Sequence, residues 1–350
     1  MRSQLARCLD DLEARLDTAE EARLRGEWDA FAQGRLKCDI FAPRRSKPNP
    51  PRVEWPRIAV NQALNDFDAM ALQQFGLCSQ ALAKGDGSAL AVRCNYGTSI
   101  LPLLFGVELF AMDDEADTLP TSVPFHDADR IRQCVEAGPP SLQAGFGARV
   151  FEMGERFVEI ASLYPKIGQC VSIYHPDTQG PFDVLEVVWG SEMFLALFDQ
   201  GELVHAMLDR IAETYVEFMR RWERIAPFGH PSNPHWRLRH GGRIMLRDDS
   251  AMNLSPVMFD EFIRPYDQRL LDEFGGGAIH FCGKGDHYIE RMTAMRGLRA
   301  IHMSQPHLND METIFANTVD RGINLFANGK AIDDARTRGR DFRGLLCRIV

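Results

Sequence analysis

The amino-acid sequence predicts an α/β fold, a single (β/α)8 TIM barrel behind an N-terminal helical extension. Three observations carry that expectation. From Ala89 onward, short apolar runs alternate with longer helical patterns, the order produced by parallel strands and crossover helices. Polar, chemically capable side chains follow the apolar runs at their C-terminal ends, which is where the eight loops of a barrel converge on one pocket. A length of 350 residues with 45% hydrophobic content suffices for one large core. We therefore expect residues 1–55 to form a helix and an arm, and residues 56–350 to form the barrel.

At the N-terminus, Leu5, Leu9, Leu12 and Leu16 stand three or four apart among charges, the stripe of an amphipathic helix packed on something else. Residues 43–56 carry five prolines, which remove backbone donors and impose an extended arm. Strands are expected at Ala89–Cys94, Val171–Tyr174, Arg243–Leu246, Ala278–Phe281, Leu298–Met303, Ile323–Phe326 and Leu345–Val350, with the eighth between Pro56 and Asn61. Helices are expected at Asp127–Ala137, Ala148–Leu163, Glu202–Ala226, Pro256–Phe274, His287–Met295 and Asn309–Asp320. Gly180-Pro181-Phe182 reads as a tight turn over the site, and Asn253 or Ser255 as the N-cap of a helix with Pro256 in its first turn.

The strand ends supply the candidate site. His280 and Cys282 are two apart, so on a strand both project from one face into the barrel mouth. Imidazole and thiolate are zinc ligands, and a catalytic zinc takes three protein ligands with one position left open. Cys347, in the last strand-like run, is the candidate third ligand. A core histidine beside an inert thiol is the competing reading. Asp248 and Asp249 end the run Arg-Ile-Met-Leu-Arg, and adjacent strand residues face opposite ways, so one of them points into the pocket and the other caps a helix or pairs with Arg247. Asp248, Asp249, His302 and Tyr174 are the catalytic candidates; Asn95, Tyr96, His175, Gln179, Gln305 and Asn328 are the substrate-binding candidates. His287, Tyr288 or Glu290 could orient a ligand from behind, although a solvated helix face explains them as well. The glycine triplet at 275–277 and Gly283-Lys284-Gly285 lack phosphate-loop spacing.

Composition narrows the function further. Forty Lys and Arg against 49 Asp and Glu give a formal charge of −9, and no basic block tracks a phosphate backbone, which argues against nucleic acid. No apolar run approaches the ~18 residues of a membrane span, and the opening residues read as a charged helix in place of a signal peptide. Eight dispersed cysteines read as reduced thiols of a cytoplasmic protein.

The stretch from Asp248-Asp249 through Met252-Asn253-Leu254-Ser255-Pro256, Phe259, Glu261-Phe262 and Pro265-Tyr266 to His280-Phe281-Cys282-Gly283 resembles the uroporphyrinogen decarboxylase superfamily. Gly180-Pro181-Phe182 with Phe194, Leu203-Val204 and Leu208 resembles its mid-barrel segment, and the likeness runs from about Asn95 to Phe326. The true decarboxylases carry an N-terminal Met-Arg-Gln-Ala-Gly-Arg segment that holds substrate carboxylates; Arg44, Arg45, Arg52 and Arg57 do not reproduce it. The zinc-dependent methylcobamide:thiol methyltransferases instead bind zinc through His-x-Cys and a distant Cys, positions that His280, Cys282 and Cys347 would fill. In that branch the third Cys sits in a Gly-rich turn, whereas Cys347 stands in Leu-Leu-Cys-Arg. The resemblance thus implies Zn2+, a small-molecule thiol acceptor and a methyl donor on a separate corrinoid protein; a homo-oligomer is compatible with the sequence, which does not fix the oligomeric state. A decarboxylase of a tetrapyrrole or other acidic substrate, with a pocket lined by several arginines, is the alternative. A non-catalytic small-molecule binding barrel is a third.

Overall fold

The computed structural model describes residues 2–348; Ile349 and Val350, the end of the last expected strand, and Met1 lie outside them. Eight parallel strands are present: β1 (Ile40–Phe41), β2 (Ala91–Val92), β3 (Ser172–Ile173), β4 (Ile244–Arg247), β5 (Gly277–Phe281), β6 (Leu298–Met303), β7 (Asn324–Ala327) and β8 (Leu346–Arg348). Six form one parallel sheet in the order β1-β8-β7-β6-β5-β4, and β2 pairs separately with β3. This is a parallel α/β fold consistent with a TIM barrel, with the strand ladder interrupted at two places among the described residues. Across one interruption, between β3 and β4, Gly180 N–H donates to Arg247 O (2.8 Å) and Met245 N–H to His175 Nε2 (3.1 Å).

The eighth strand corrects one expectation. It is Ile40–Phe41, upstream of the proline arm, and Val60–Asn65 in the region proposed for it is helical. The helix of 256–274 is broken at Ile263, between Pro256–Phe262 and Arg264–Phe274, with Ser255 as the N-cap. Gly180-Pro181-Phe182 is no turn over the site: Gly180 caps the helix Pro181–Trp189 and Pro181 takes its first position, where a missing N–H costs nothing. Gly180 is still obligatory, since a Cβ there would lie 2.4 Å from Asp248 Oδ1.

Alternation along the strands sorts the core into two faces. Ile244, Leu246, Ile279, Phe281, Ile301, Met303 and Leu325 belong to the large cluster shared with the surrounding helices. Met245, Ala278, Ala300, Phe326, Cys347 and Phe41 point the other way, into the curve of the sheet. Trp28 and Phe31 of the helix Thr18–Ala32 join this inner cluster. So does a feature absent from the sequence reading, an antiparallel hairpin of Ser232–His235 with Leu238–Gly241, buried at all its strand positions. Leu238 packs in the inner cluster, Ala89 N–H donates to Arg237 O (2.9 Å), and the tip residue Trp236 reaches the histidines of β5 and β6. The hairpin therefore fills the interior from within.

Candidate metal centre

The strand register aligns Arg247, His280 and His302 side by side on β4, β5 and β6. Cys282 lies two residues beyond His280 on the same face, at the point where Gly283 takes a left-handed backbone (φ +73°) and turns the chain away. Of the two aspartates after β4, Asp249 faces inward: its Oδ1 accepts the Cys282 N–H (2.7 Å) and lies 3.3 Å from His280 Nε2. Cys282 Sγ is 3.3 Å from the same nitrogen, and the three ligand atoms all lie within 4.8 Å of one another.

These distances can be compared with a coordination shell. Tetrahedral zinc with ordinary Zn–N, Zn–O and Zn–S bonds separates its nitrogen from sulfur by roughly 3.6 Å and from oxygen by roughly 3.4 Å. The observed 3.3 Å and 3.3 Å are close to those edges. Burial and the neighbouring Asp249 carboxylate push the Cys282 thiol up to about 11. Burial works against the Asp249 charge too, but hydrogen bonds from His280 and Cys282 hold its carboxyl below the ordinary range. A nitrogen, a sulfur and a carboxylate oxygen converging at these separations are a donor set that fits a divalent metal of the zinc type.

The surroundings fix the ligands in place. His280 Nδ1 is 2.5 Å from His302 Nδ1, and burial, reinforced by His280, pulls the His302 ring well below its usual range, leaving it neutral. With a metal bound in place of the His280–Asp249 contact, a neutral His302 would accept the His280 Nδ1–H and leave the His280 Nε2 lone pair for the ion. Asp183, on the helix that Gly180 caps, accepts the N–H groups of Asp249 and Ser250 (2.9 Å each) and so fastens the turn carrying Asp249. Gln305 Oε1 accepts the Gly283 N–H (2.5 Å) on the other side.

Beside this group lies a buried ion cluster. Asp177 pairs with Arg93, lies 3.5 Å from Arg247 and accepts from His235 Nε2 (3.0 Å). Burial alone would raise its carboxyl, but the two guanidiniums and His235 hold it well below the carboxylate range. Two guanidiniums thus share one carboxylate, and Arg247 also covers the Trp236 ring at 4.7 Å. Arg247 therefore pairs with Asp177, where the sequence suggested one of the two aspartates that follow it.

The remaining sequence candidates are scattered. Cys347 is buried among Trp28, Phe41 and Phe326, donates to Arg348 O (3.6 Å), and is not part of the Asp249–His280–Cys282 group. Asp248 faces the helix layer, fully buried opposite Asp267; neither carboxyl has a donor among the described residues, and burial raises both, with the Asp267 charge adding to the rise at Asp248 and the Asp183 charge adding to it at Asp267, which reaches about 7. His175 clamps β4 through Met245 and also bonds Pro176 O (2.8 Å). Tyr174 packs on His235, and Tyr96 is fully buried against Phe146. Asn95 reaches Gln73 (3.2 Å), Gln179 is buried with its backbone at φ +61°, and Asn328 is exposed after β7. His287 bonds Leu254 O (3.0 Å), Tyr288 stacks on Phe259, and Glu290 pairs with Arg321, so none of them touches the three ligands. Sequence reasoning missed His235, Trp236, Arg93 and Asp183; the His-Trp pair followed by Arg237 and Arg239 was the visible sign of the first two.

No known protein family and no curated protein matches the sequence. The fold itself has a solved counterpart. A methyltransferase from Methanosarcina mazei superposes over 93% of this chain and 92% of its own, with a TM-score of 0.63 and 16% identity. At that identity the likeness establishes the architecture. Among the described residues no helix is long and apolar enough to cross a membrane.

Proposed function

We propose that this chain is a metal-dependent methyltransferase in which Asp249, His280 and Cys282 hold a zinc ion and a small thiol is the methyl acceptor. The observation that carries this reading is the convergence of three ligand atoms within 4.8 Å at the C-terminal end of β5. The shared architecture with a methyltransferase and the His-x-Cys resemblance support it. Asp249 takes the third ligand position in place of Cys347, because Cys347 sits in the aromatic cluster. A zinc ion bound there would lower the pKa of an acceptor thiol and so supply the thiolate nucleophile at neutral pH.

The chain's own residues do the rest. His302 sets the His280 tautomer, Asp183 and Gln305 lock the two turns that bear the ligands, and Trp236 at the hairpin tip packs on His280 and His302. Arg247, sharing Asp177 with Arg93, leaves one positive charge uncompensated beside the ligands, which favours an anionic group on the substrate. The methyl donor in this reading is a methylated corrinoid carried by a separate protein.

Metal analysis of the purified protein tests the proposal: close to one zinc per chain, lost in Cys282→Ser and Asp249→Ala and retained in Cys347→Ser. A native protein that neither contains nor takes up zinc, or zinc lost only in Cys347→Ser, would refute it.

A further inference from the structure

A cavity lies in the inner cluster, lined on one side by the Trp236 and His302 rings that also pack on His280. Its volume is ≈ 120 Å3, and Trp28, Trp236, Leu238, Cys347, Ser88 and His302 line it. Both indoles are held rigidly. Trp28 donates Nε1–H to Gly87 O (2.9 Å) and is gripped edge-on by Phe31 and Phe41. Trp236 is fixed by a left-handed backbone (φ +52°), by the Arg247 guanidinium and by the edges of His280 and His302. A bulky residue with positive φ is strained, and such strain persists where the surroundings enforce it, often at ligand sites.

The lining carries no free charge among the described residues. Its two guanidiniums are occupied, Arg237 by Asp86 and Arg348 by Asp333, and the His302 ring nitrogen Nδ1 is engaged by His280. An apolar cavity of roughly 150 Å3 accepts benzene, so this one is about the size of a single small ring. An unfilled space of this kind forfeits packing in proportion to its volume. We infer that the cavity is a binding site for an uncharged, single-ring aromatic group, sandwiched by Trp28 and Trp236 and touching His302. It is separate from the anion-favouring Arg247 side and does not depend on the metal reading.

Phenol is a suitable probe, with benzoate as its charged counterpart, read by calorimetry and tryptophan fluorescence on the full chain, both chelator-treated and zinc-supplemented. Phenol should bind saturably in both forms. Binding should weaken at least about tenfold in Cys347→Leu and in Ser88→Leu, which each fill the space from a lining position. No saturable binding of phenol, equal binding in both folded variants, or benzoate binding as tightly as phenol would each overturn the inference. Because the chelated protein is measured directly, failure of the zinc reading leaves this outcome unchanged.

Discussion

Replacing Asp267 by Asn should stabilise the protein, and by an amount that grows with pH. Asp267, on the helix Arg264–Phe274, and Asp248, at the end of β4, are both buried without a basic partner, and burial raises both carboxyls. A folded-state value of about 7 for Asp267 stands against roughly 3.9 for an unfolded Asp. The folded chain therefore holds a proton that the unfolded chain has released between about pH 4 and 7. With a raised carboxyl the stabilising contribution is complete below the unfolded value and is lost as pH rises through that window, at about 1.4 kcal/mol per unit. By pH 7 the wild type has forfeited up to about 4 kcal/mol that an amide, which needs no proton and can donate to Asp248, does not lose. Urea denaturation of wild type and Asp267→Asn at half-unit steps from pH 4.5 to 8 measures this. The two curves should nearly meet at the acid end, diverge up to neutrality and run parallel above it. A constant offset across the range, or an Asn variant less stable at pH 7, refutes the account of a raised, buried Asp267 carboxyl.

Three further outcomes follow from the geometry. His302→Phe removes the acceptor of the His280 Nδ1–H and should weaken zinc binding about 10–100-fold, with His302→Gln recovering part of it, as read by competition with a chromogenic chelator. Asp183→Ala frees the turn bearing Asp249 and should lower zinc affinity while Cys347→Ser leaves it unchanged, in the same assay. Gly154→Ala gains about 1 kcal/mol of helix propensity but places a Cβ 2.6 Å from Cζ3 of the buried Trp222, at a cost of about 1–3 kcal/mol, so the denaturation midpoint should fall.

The parts of the fold visible in the sequence were those with a repeating apolar pattern. β5 and β6 are long enough for alternation to show, and the helix Gly201–Ile225 falls within one residue of its expected bounds. β1 has two residues, too few for any period, and the proline arm after it drew attention downstream. The hairpin was hidden for another reason: Ser-Asn-Pro-His and Leu-Arg-His-Gly face polar groups inside the curve, so burial does not select the alternation by which strands are recognised. For the site, the spacing of His280 and Cys282 was sufficient, because strand parity alone puts both on one face. Which aspartate faced them required the pairing of Arg247 with His280, a tertiary fact. Cys347 shows the limit of the same logic, since a residue on the inner face can be several strands away from the group it was meant to join.

The hairpin explains a choice of small residues on neighbouring strands. Barrel interiors are ordinarily filled by branched side chains such as valine and isoleucine, yet β5 and β6 present Ala278 and Ala300 beneath the two histidines. The volume those strands give up is occupied by Leu238. A valine in place of either alanine would lift the loop like a shim under a hinge and carry the indole ring off the imidazole pair. The orientation of the ligands at the top is thus set from below, by methyl groups that the two alanines lack.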